Sequence, residues 1–491
     1  MKVLFVSPEC YPLVKTGGLA DVAGALPLAL TPLGVSARVL MPAYPGVRDR
    51  LTGVKKVAPL PALFGGDGAL LTGTTEQGLA VWLVEAPHLY ERKGGGPYLG
   101  PNGRDWPDNH LRFGALSWVG AQLAMGRIGS WKPDLVHLHD WQAALAAAYL
   151  HFDRERKLAP PTLLTIHNLA FQGLFEPETR RALKLPVDVM RLDGMEYWGK
   201  LSFLKAGVQW ATHLSTVSPT YAREILTPEE GMGFDGLLRL RAHQLTGIVN
   251  GIDDGVWNPA TDPFLAAPFS SRRLPAKGAN KTALQVELGL HVRTDVPLFS
   301  VVSRLTTQKG LDLLLEALPR IAASGAQLAV LGTGDATLEA GYLAAAAEYR
   351  GQVATIIGFD EALSHRMQAG SDGVLMPSRF EPCGLTQLYG LRYGSLPIVA
   401  RVGGLADTVI DANEAALRDG VGTGFQFSPV EVGPLAVAVE RAVALFTDTQ
   451  GWQRTQRRAM TRDVGWGVAA GQYVDLYRHI LGHIVGGIVG R

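Results

Sequence analysis

Cysteine is almost missing from this sequence. Cys10 and Cys383 are the only two, which excludes a disulfide framework or a zinc cluster and suits a reducing, cytoplasmic compartment. An excess of charge is missing too. Lys and Arg total 46 against 45 Asp and Glu, so neither nucleic acid nor an anionic membrane is expected as partner, and any cationic site must be local. No apolar run reaches the length of a membrane span. The start of the chain has one lysine and a short apolar stretch broken by Ser7-Pro8-Glu9, which reads as a first strand and not as a signal peptide. The apolar tail Ile480–Val489, interrupted by Gly482, His483, Gly486 and Gly487, reads as a frayed or docked terminus. No short repeat is present, and low complexity is limited to patches such as Ala144–Ala148.

What is present is enough apolar material for more than one core: 491 residues, 47% of them hydrophobic and 19% charged, which predicts two or three domains. Strand-like runs stand at Val3–Ser7, Ala37–Met41, Leu79–Glu85, Leu135–His139, Thr162–His167 and Leu214–Ser218. A second series stands at Leu298–Ser303, Gln327–Gly332, Val353–Gly358, Gly373–Pro377 and Leu396–Ala400. Helix-like stretches separate most of them, so the fold class is α/β: two doubly wound, Rossmann-like domains with largely parallel sheets. The stretch 246–258, dense in Gly, Asn and Asp, reads as a hinge linker between an N-terminal domain, 1–245, and a C-terminal one, 259–465. Such an arrangement is expected to set the strand ends of both domains on the walls of one deep cleft.

The polar chemistry collects at strand ends, where open α/β sheets bind their ligands. Lys15-Thr16-Gly17-Gly18-Leu19-Ala20-Asp21-Val22 follows the first strand and opens a helix. Glycines let the backbone approach an anion, the first helical N–H groups point at it, and the lysine adds a full charge. Ser303-Arg304-Leu305-Thr306-Thr307-Gln308-Lys309-Gly310 repeats the idea in the second half. An arginine fork plus a lysine suits a diphosphate better than one carboxylate. His137 and His139 share a strand face before Asp140-Trp141; with no third ligand at suitable spacing, hydrogen-bonded core histidines are expected rather than a metal pair. His167-Asn168 either hydrogen-bonds a sugar or caps the following turn. Arg379-Phe380-Glu381-Pro382-Cys383-Gly384-Leu385-Thr386 puts a carboxylate in a bent loop before a helix start, as a ligand contact or as a cap of that helix.

Taken in order, Lys15–Val22, Asp140-Trp141, Thr165-Ile166-His167-Asn168, Asn250-Gly251-Ile252-Asp253, Ser303-Arg304-Leu305 with Gln308-Lys309-Gly310, and Pro377–Leu385 resemble the bacterial glycogen synthases and their plant starch synthase kin. The resemblance runs from Met1 to about Leu481. It implies a GT-B glycosyltransferase that moves glucose from ADP-glucose to the non-reducing end of an α-1,4-glucan, retaining anomeric configuration, with no metal and no cofactor. It further implies that Lys15, Gly17 and Gly18 meet the donor's phosphates, with Asn168 beside them, and that Arg304 and Lys309 neutralise the departing diphosphate. His167 would lie at the glucosyl ring, and Glu381 would contact the donor glucose. Cys383, Gly384, Leu385 and Thr386 would line its pocket, and Asp21, Asp140 and Trp141 would serve the sugar or acceptor end. A C-terminal helix, 466–485, would cross back onto the first domain. Gln142 departs from the histidine common in the family, and the Gly- and Pro-rich loop 91–108 has the composition of a flexible lid.

Rival readings separate on single features. A sugar-nucleotide epimerase needs a base placed for proton abstraction, and a nucleotide- or glucan-binding regulator has no use for Lys15, Arg304, Lys309 and Glu381 together. A dinucleotide dehydrogenase needs G-x-G-x-x-G after its first strand; Gly332-Thr333-Gly334-Asp335 is only a fragment. A preference for UDP-glucose over ADP-glucose leaves no short signature.

Overall fold

A computed structural model describes residues 1–489, with side chains through Gly482. The chain divides into two compact units: Met1–Asn250 together with the C-terminal segment from Trp466, and Gly251–Gly465. Among the described residues no helix is long and apolar enough to cross a membrane.

The first unit is built from β1 (Lys2–Val6), β2 (Ser36–Pro42), β3 (Thr52–Leu63), β4 (Gly66–Thr74), β5 (Ala80–Glu85), β6 (Leu135–His139), β7 (Thr162–Ile166), a small sheet of β8 (Leu174–Phe175), β9 (Glu196–Tyr197) and β10 (Lys200–Ser202), then β11 (His213–Thr216) and β12 (Leu245–Gly247). Its main sheet runs β12-β11-β7-β6-β1-β2-β5-β4-β3. The core strands pair in parallel and are buried on both faces, which is why β6, Leu-Val-His-Leu-His, is buried at every position. Only the β3–β4–β5 edge is antiparallel. That hairpin escaped the sequence reading because β3 carries Lys55, Lys56, Pro59 and Pro61 and slips register three times, the marks of a protected edge strand without apolar alternation.

The second unit holds β13 (Leu298–Val302), β14 (Gln327–Gly332), β15 (Val353–Ile357), β16 (Gly373–Met376), β17 (Leu396–Ala400) and β18 (Phe425–Phe427), in the order β15-β14-β13-β16-β17-β18, all parallel. Chain order reverses between β1 and β6 in the first unit and between β13 and β16 in the second. These are the topological switch points where such sheets leave a crevice at their carboxyl ends.

The Gly-, Asn- and Asp-rich stretch 246–258 is structured on both sides of the division. β12 takes its first residues into the sheet of the first unit. Beyond it, Ile252 and Trp257 enter the core of the second unit. Trp257 stacks on His365 and Tyr389, with ring centroids 3.8 and 3.7 Å away. Ile252 N–H donates to the Val464 carbonyl, so the two chain crossings lie side by side. The helix Trp466–Val489 then returns to the first unit. Its stripe of Trp466, Ala469, Ala470, Tyr473, Val474, Tyr477 and Ile480, spaced by three and four, is buried in that core. Ile480 is thus docked, while the side chains from His483 onward lie outside the described residues.

Candidate active site

In the first unit the loops after β1, β6 and β7, three neighbouring strands, rise together. Lys15-Thr16-Gly17-Gly18 is exposed at the start of the helix Gly18–Leu30. A Cβ added to Gly17 would meet nothing within 4 Å, so this backbone is open to a ligand. Lys15 Nζ pairs with Asp21 Oδ1 at 2.9 Å, one turn into the helix, which holds the ammonium beside the first helical N–H groups. Asp21, one of the residues expected at the sugar or acceptor end, is in this structure the partner of Lys15.

Asp140 has φ 55° and belongs to the turn at the end of β6. Its Oδ1 accepts the backbone N–H groups of His167, at 2.6 Å, and Asn168, at 3.4 Å. It shapes the β7 end instead of reaching outward. Asn168 Oδ1 accepts the N–H of Ala170 at 3.0 Å, the turn-capping role left open above. His167 is half-buried, its Nε2 lying 2.9 Å from His139 Nδ1, and burial lowers its pKa to about 3, so the ring is neutral. His137 is bonded to Tyr477 Oη (2.8 Å) and Thr165 Oγ1 (2.6 Å), a satisfied core histidine. Among the described residues no group of three or more His, Cys, Asp or Glu could hold a metal ion.

Trp141, expected at the sugar or acceptor end, is 9% exposed and packs against Phe113, Phe175 and Phe203, with centroids 5.0, 5.8 and 6.2 Å away. The helix Asp140–His151 turns the indole inward, into an aromatic cluster, while Asp140 stays at the strand end.

Burial, with a smaller contribution from nearby Glu9, pushes the Asp140 carboxyl from 3.8 up to about 7, against the pull of its two N–H donors. A folded-state value above the unfolded one means that the fold favours the protonated acid. Its stabilising contribution is complete below pH 4 and is lost as pH rises towards and through about 7. Asp140→Asn keeps the acceptor oxygen and removes the titration. Its melting temperature relative to the parent is expected to climb from pH 5 to pH 8 in scanning calorimetry; parallel curves would refute this assignment.

In the second unit the loops after β13 and β16 meet over a cavity of about 190 Å³, lined by Ser303, Arg304, Lys309, Pro377, Ser378 and Thr386 among others. Lys309 Nζ lies 2.5 Å from Glu381 Oε2, and Ser378 Oγ donates to the same oxygen at 3.0 Å. Glu381 is 5% exposed, so the carboxylate is fixed and the ammonium is aimed by it. Arg304 is exposed, and among the described residues no carboxylate pairs with it. Arg379, which the sequence placed in the same loop, is bound bidentately to Asp312 at 2.7 Å and braces the loop from outside. Cys383 is buried, and Gly384 takes φ 72° to lead through Leu385 into the helix Thr386–Tyr393. Gly404 packs on this turn so closely that a Cβ there would stand 2.3 Å from the Cys383 carbonyl oxygen.

Other residues serve these sites without a local sequence signal. Glu9, 3% exposed, accepts the Thr16 N–H and, on its other oxygen, the Tyr98 hydroxyl at 2.6 Å. It pins the Lys15 loop from behind. Tyr98 belongs to the loop 91–108, which is tied down by Arg112 to the Pro97 carbonyl, Asn109 to the Tyr98 carbonyl, and Arg92 to Asp108. Phe359, 79% exposed just after β15, offers an open aromatic face at the same carboxyl edge as Arg304. Signals of this kind come from pairings across 89 residues, as for Glu9 and Tyr98, which no sequence window contains.

Comparison with known proteins agrees along the whole chain. A family profile described as the starch synthase catalytic domain matches residues 2–240, and one described as glycosyl transferases group 1 matches 290–445. The chain is similar to the glycogen synthase of Roseobacter denitrificans, 55% identical over 482 residues, covering 98% of this chain and 100% of that one. It is also similar to the glycogen synthase of Rhodopseudomonas palustris, at 52% identity with 98% of each covered. Among solved structures, the catalytic domain of starch synthase IV from Arabidopsis thaliana bound to ADP and acarbose superimposes with a TM-score of 0.89, at 31% identity over 98% of this chain and 99% of that one.

Proposed function

Because this chain belongs to the glycogen synthase family of glycosyltransferases, we propose that it elongates glycogen by moving glucose from ADP-glucose to the non-reducing end of an α-1,4-glucan, in the cytoplasm, with retention and without a metal. The observation that carries this reading is the cavity at the β13 and β16 ends, where the exposed Arg304 and the carboxylate-held Lys309 converge. Two cations there suit a diphosphate leaving group, and a neutral reading of the cavity would leave Arg304 unexplained.

Cleavage of the bond between the anomeric carbon and the phosphate oxygen puts negative charge on the diphosphate and positive charge on the carbon. Arg304 and Lys309 take up the first; in the first unit Lys15 and the N–H groups at Gly17 and Gly18 form a second place suited to an anion. Asp140 and Glu381 act on geometry, Asp140 by setting the backbone of His167 and Asn168, and Glu381 by aiming Lys309 while meeting the donor glucose. The acceptor hydroxyl attacks from the face the diphosphate leaves, passing its proton to a leaving phosphate oxygen, so the new glycosidic bond keeps the configuration of the old one. Glu381 is not assigned as a nucleophile, because its Oε2 is already engaged by Lys309 and Ser378. Phe359 supplies a stacking face for a base.

The test is incorporation of labelled glucose into glycogen from ADP-glucose and, in parallel, from UDP-glucose, with EDTA present. The proposal expects transfer from ADP-glucose that survives the chelator and clearly exceeds transfer from UDP-glucose. A UDP-glucose preference would overturn the donor assignment, and nucleotide-sugar binding without transfer would overturn the synthase reading.

A further inference from the structure

Behind His167 stands a second histidine that no step above uses. His139 is fully buried, its ring stacked on Phe5 (centroids 5.4 Å apart) and tilted against His137 (4.2 Å). Its Nδ1 lies 2.9 Å from His167 Nε2. Its other nitrogen, Nε2, is buried and meets no hydrogen-bond partner. Burial keeps both rings neutral, so one proton lies between the two facing nitrogens.

Where that proton sits decides what His167 offers a ligand. If His167 donated, His139 would have to carry its own proton on Nε2, a buried N–H without an acceptor. If His139 donates, the atom without a partner is a lone pair. Orphaned buried N–H groups are the rarer and costlier of the two. We propose that His139 is a positioning residue: it donates its Nδ1 proton to His167 Nε2 and so fixes His167 in the tautomer that carries its proton on Nδ1, the nitrogen left for the sugar. His167 then meets the donor sugar as a hydrogen-bond donor to a hydroxyl oxygen, and never as a base. This rests on the reading that His167 contacts the donor glucose. The tautomer itself is independent of that reading.

The experiment has two arms on the full-length enzyme. In the first, nitrogen NMR of histidine-labelled protein, assigned with His139→Phe and His167→Ala, identifies the protonated nitrogens. Nδ1–H on both rings is expected, and Nε2–H on either overturns the proposal. In the second, His139→Phe keeps a ring without a donor, while His139→Gln keeps an amide donor without a ring. The proposal expects His139→Phe to lower kcat about tenfold with the dissociation constant for ADP unchanged, and His139→Gln to recover most of it. A role in packing alone reverses that order, and the reversal would sink the idea. Should His139→Phe fail to fold, the spectrum of the parent enzyme still decides. Near-normal kinetics in His167→Ala with the expected tautomer would instead overturn the contact to glucose.

Discussion

Lys309→Ala is expected to lower kcat by about 10³-fold or more while the protein still folds. The ammonium sits 2.5 Å from Glu381 Oε2 at the rim of the β13 and β16 cavity, where it is aimed but still 19% exposed at the side chain. In the ground state it balances a carboxylate; in the transition state it must also balance the charge growing on the diphosphate, an interaction that does not exist before the bond breaks. Removing it therefore falls mainly on kcat. The cost to folding is smaller, because Glu381 keeps the Ser378 hydroxyl as a donor and the place vacated by the part-exposed lysine is open to water. Steady-state kinetics alongside a thermal melt separate the two. A variant that turns over at near the parent rate would remove Lys309 from the chemistry.

Gly310→Ala is the second large effect, and it arises in the backbone. Gly310 takes φ 67°, and a Cβ there would stand 1.9 Å from the Pro377 carbonyl oxygen and 2.7 Å from its carbon. Neither neighbour is a flexible side-chain end, so the β13 loop and the β16 loop must move apart. Those are the loops that bring Lys309 to Glu381. We expect a loss of stability of about 3 kcal/mol or more together with loss of turnover. Gly17→Ala is the contrasting control, since φ −158° is extended backbone and the added methyl meets open space. It should melt within about 1 kcal/mol of the parent and act on nucleotide affinity instead. Equal melting temperatures for Gly310→Ala and the parent would show that the two loops are not locked together as described.

How far this could be read from the chain varies with the kind of interaction. The run Leu135–His139 coincides with β6, and Leu396–Ala400 with β17, because a parallel strand buried on both faces announces itself as a short apolar block between turns. The α/β class, the cation-bearing strand ends and the family followed from such blocks and the motifs between them. The β3–β4 hairpin did not, since an exposed edge has no apolar pattern to read. Side-chain direction was equally hidden: Asp140 and Trp141 are adjacent, yet one shapes the β7 turn and the other fills an aromatic core. The particular partners of Glu9 and His139 were hidden for a further reason. The sheet order sets β6 beside β7 and so brings His167 to His139, while the loop 91–108 brings Tyr98 to Glu9 across 89 residues.

The most direct measurement is carbon NMR of the product formed from ADP-glucose labelled at the anomeric carbon, with a malto-oligosaccharide acceptor and ADP release followed in the same tube. The account predicts one α-1,4-linked labelled glucose at the non-reducing end for each ADP released. A β-linkage, or ADP released with free labelled glucose and no chain growth, would contradict it.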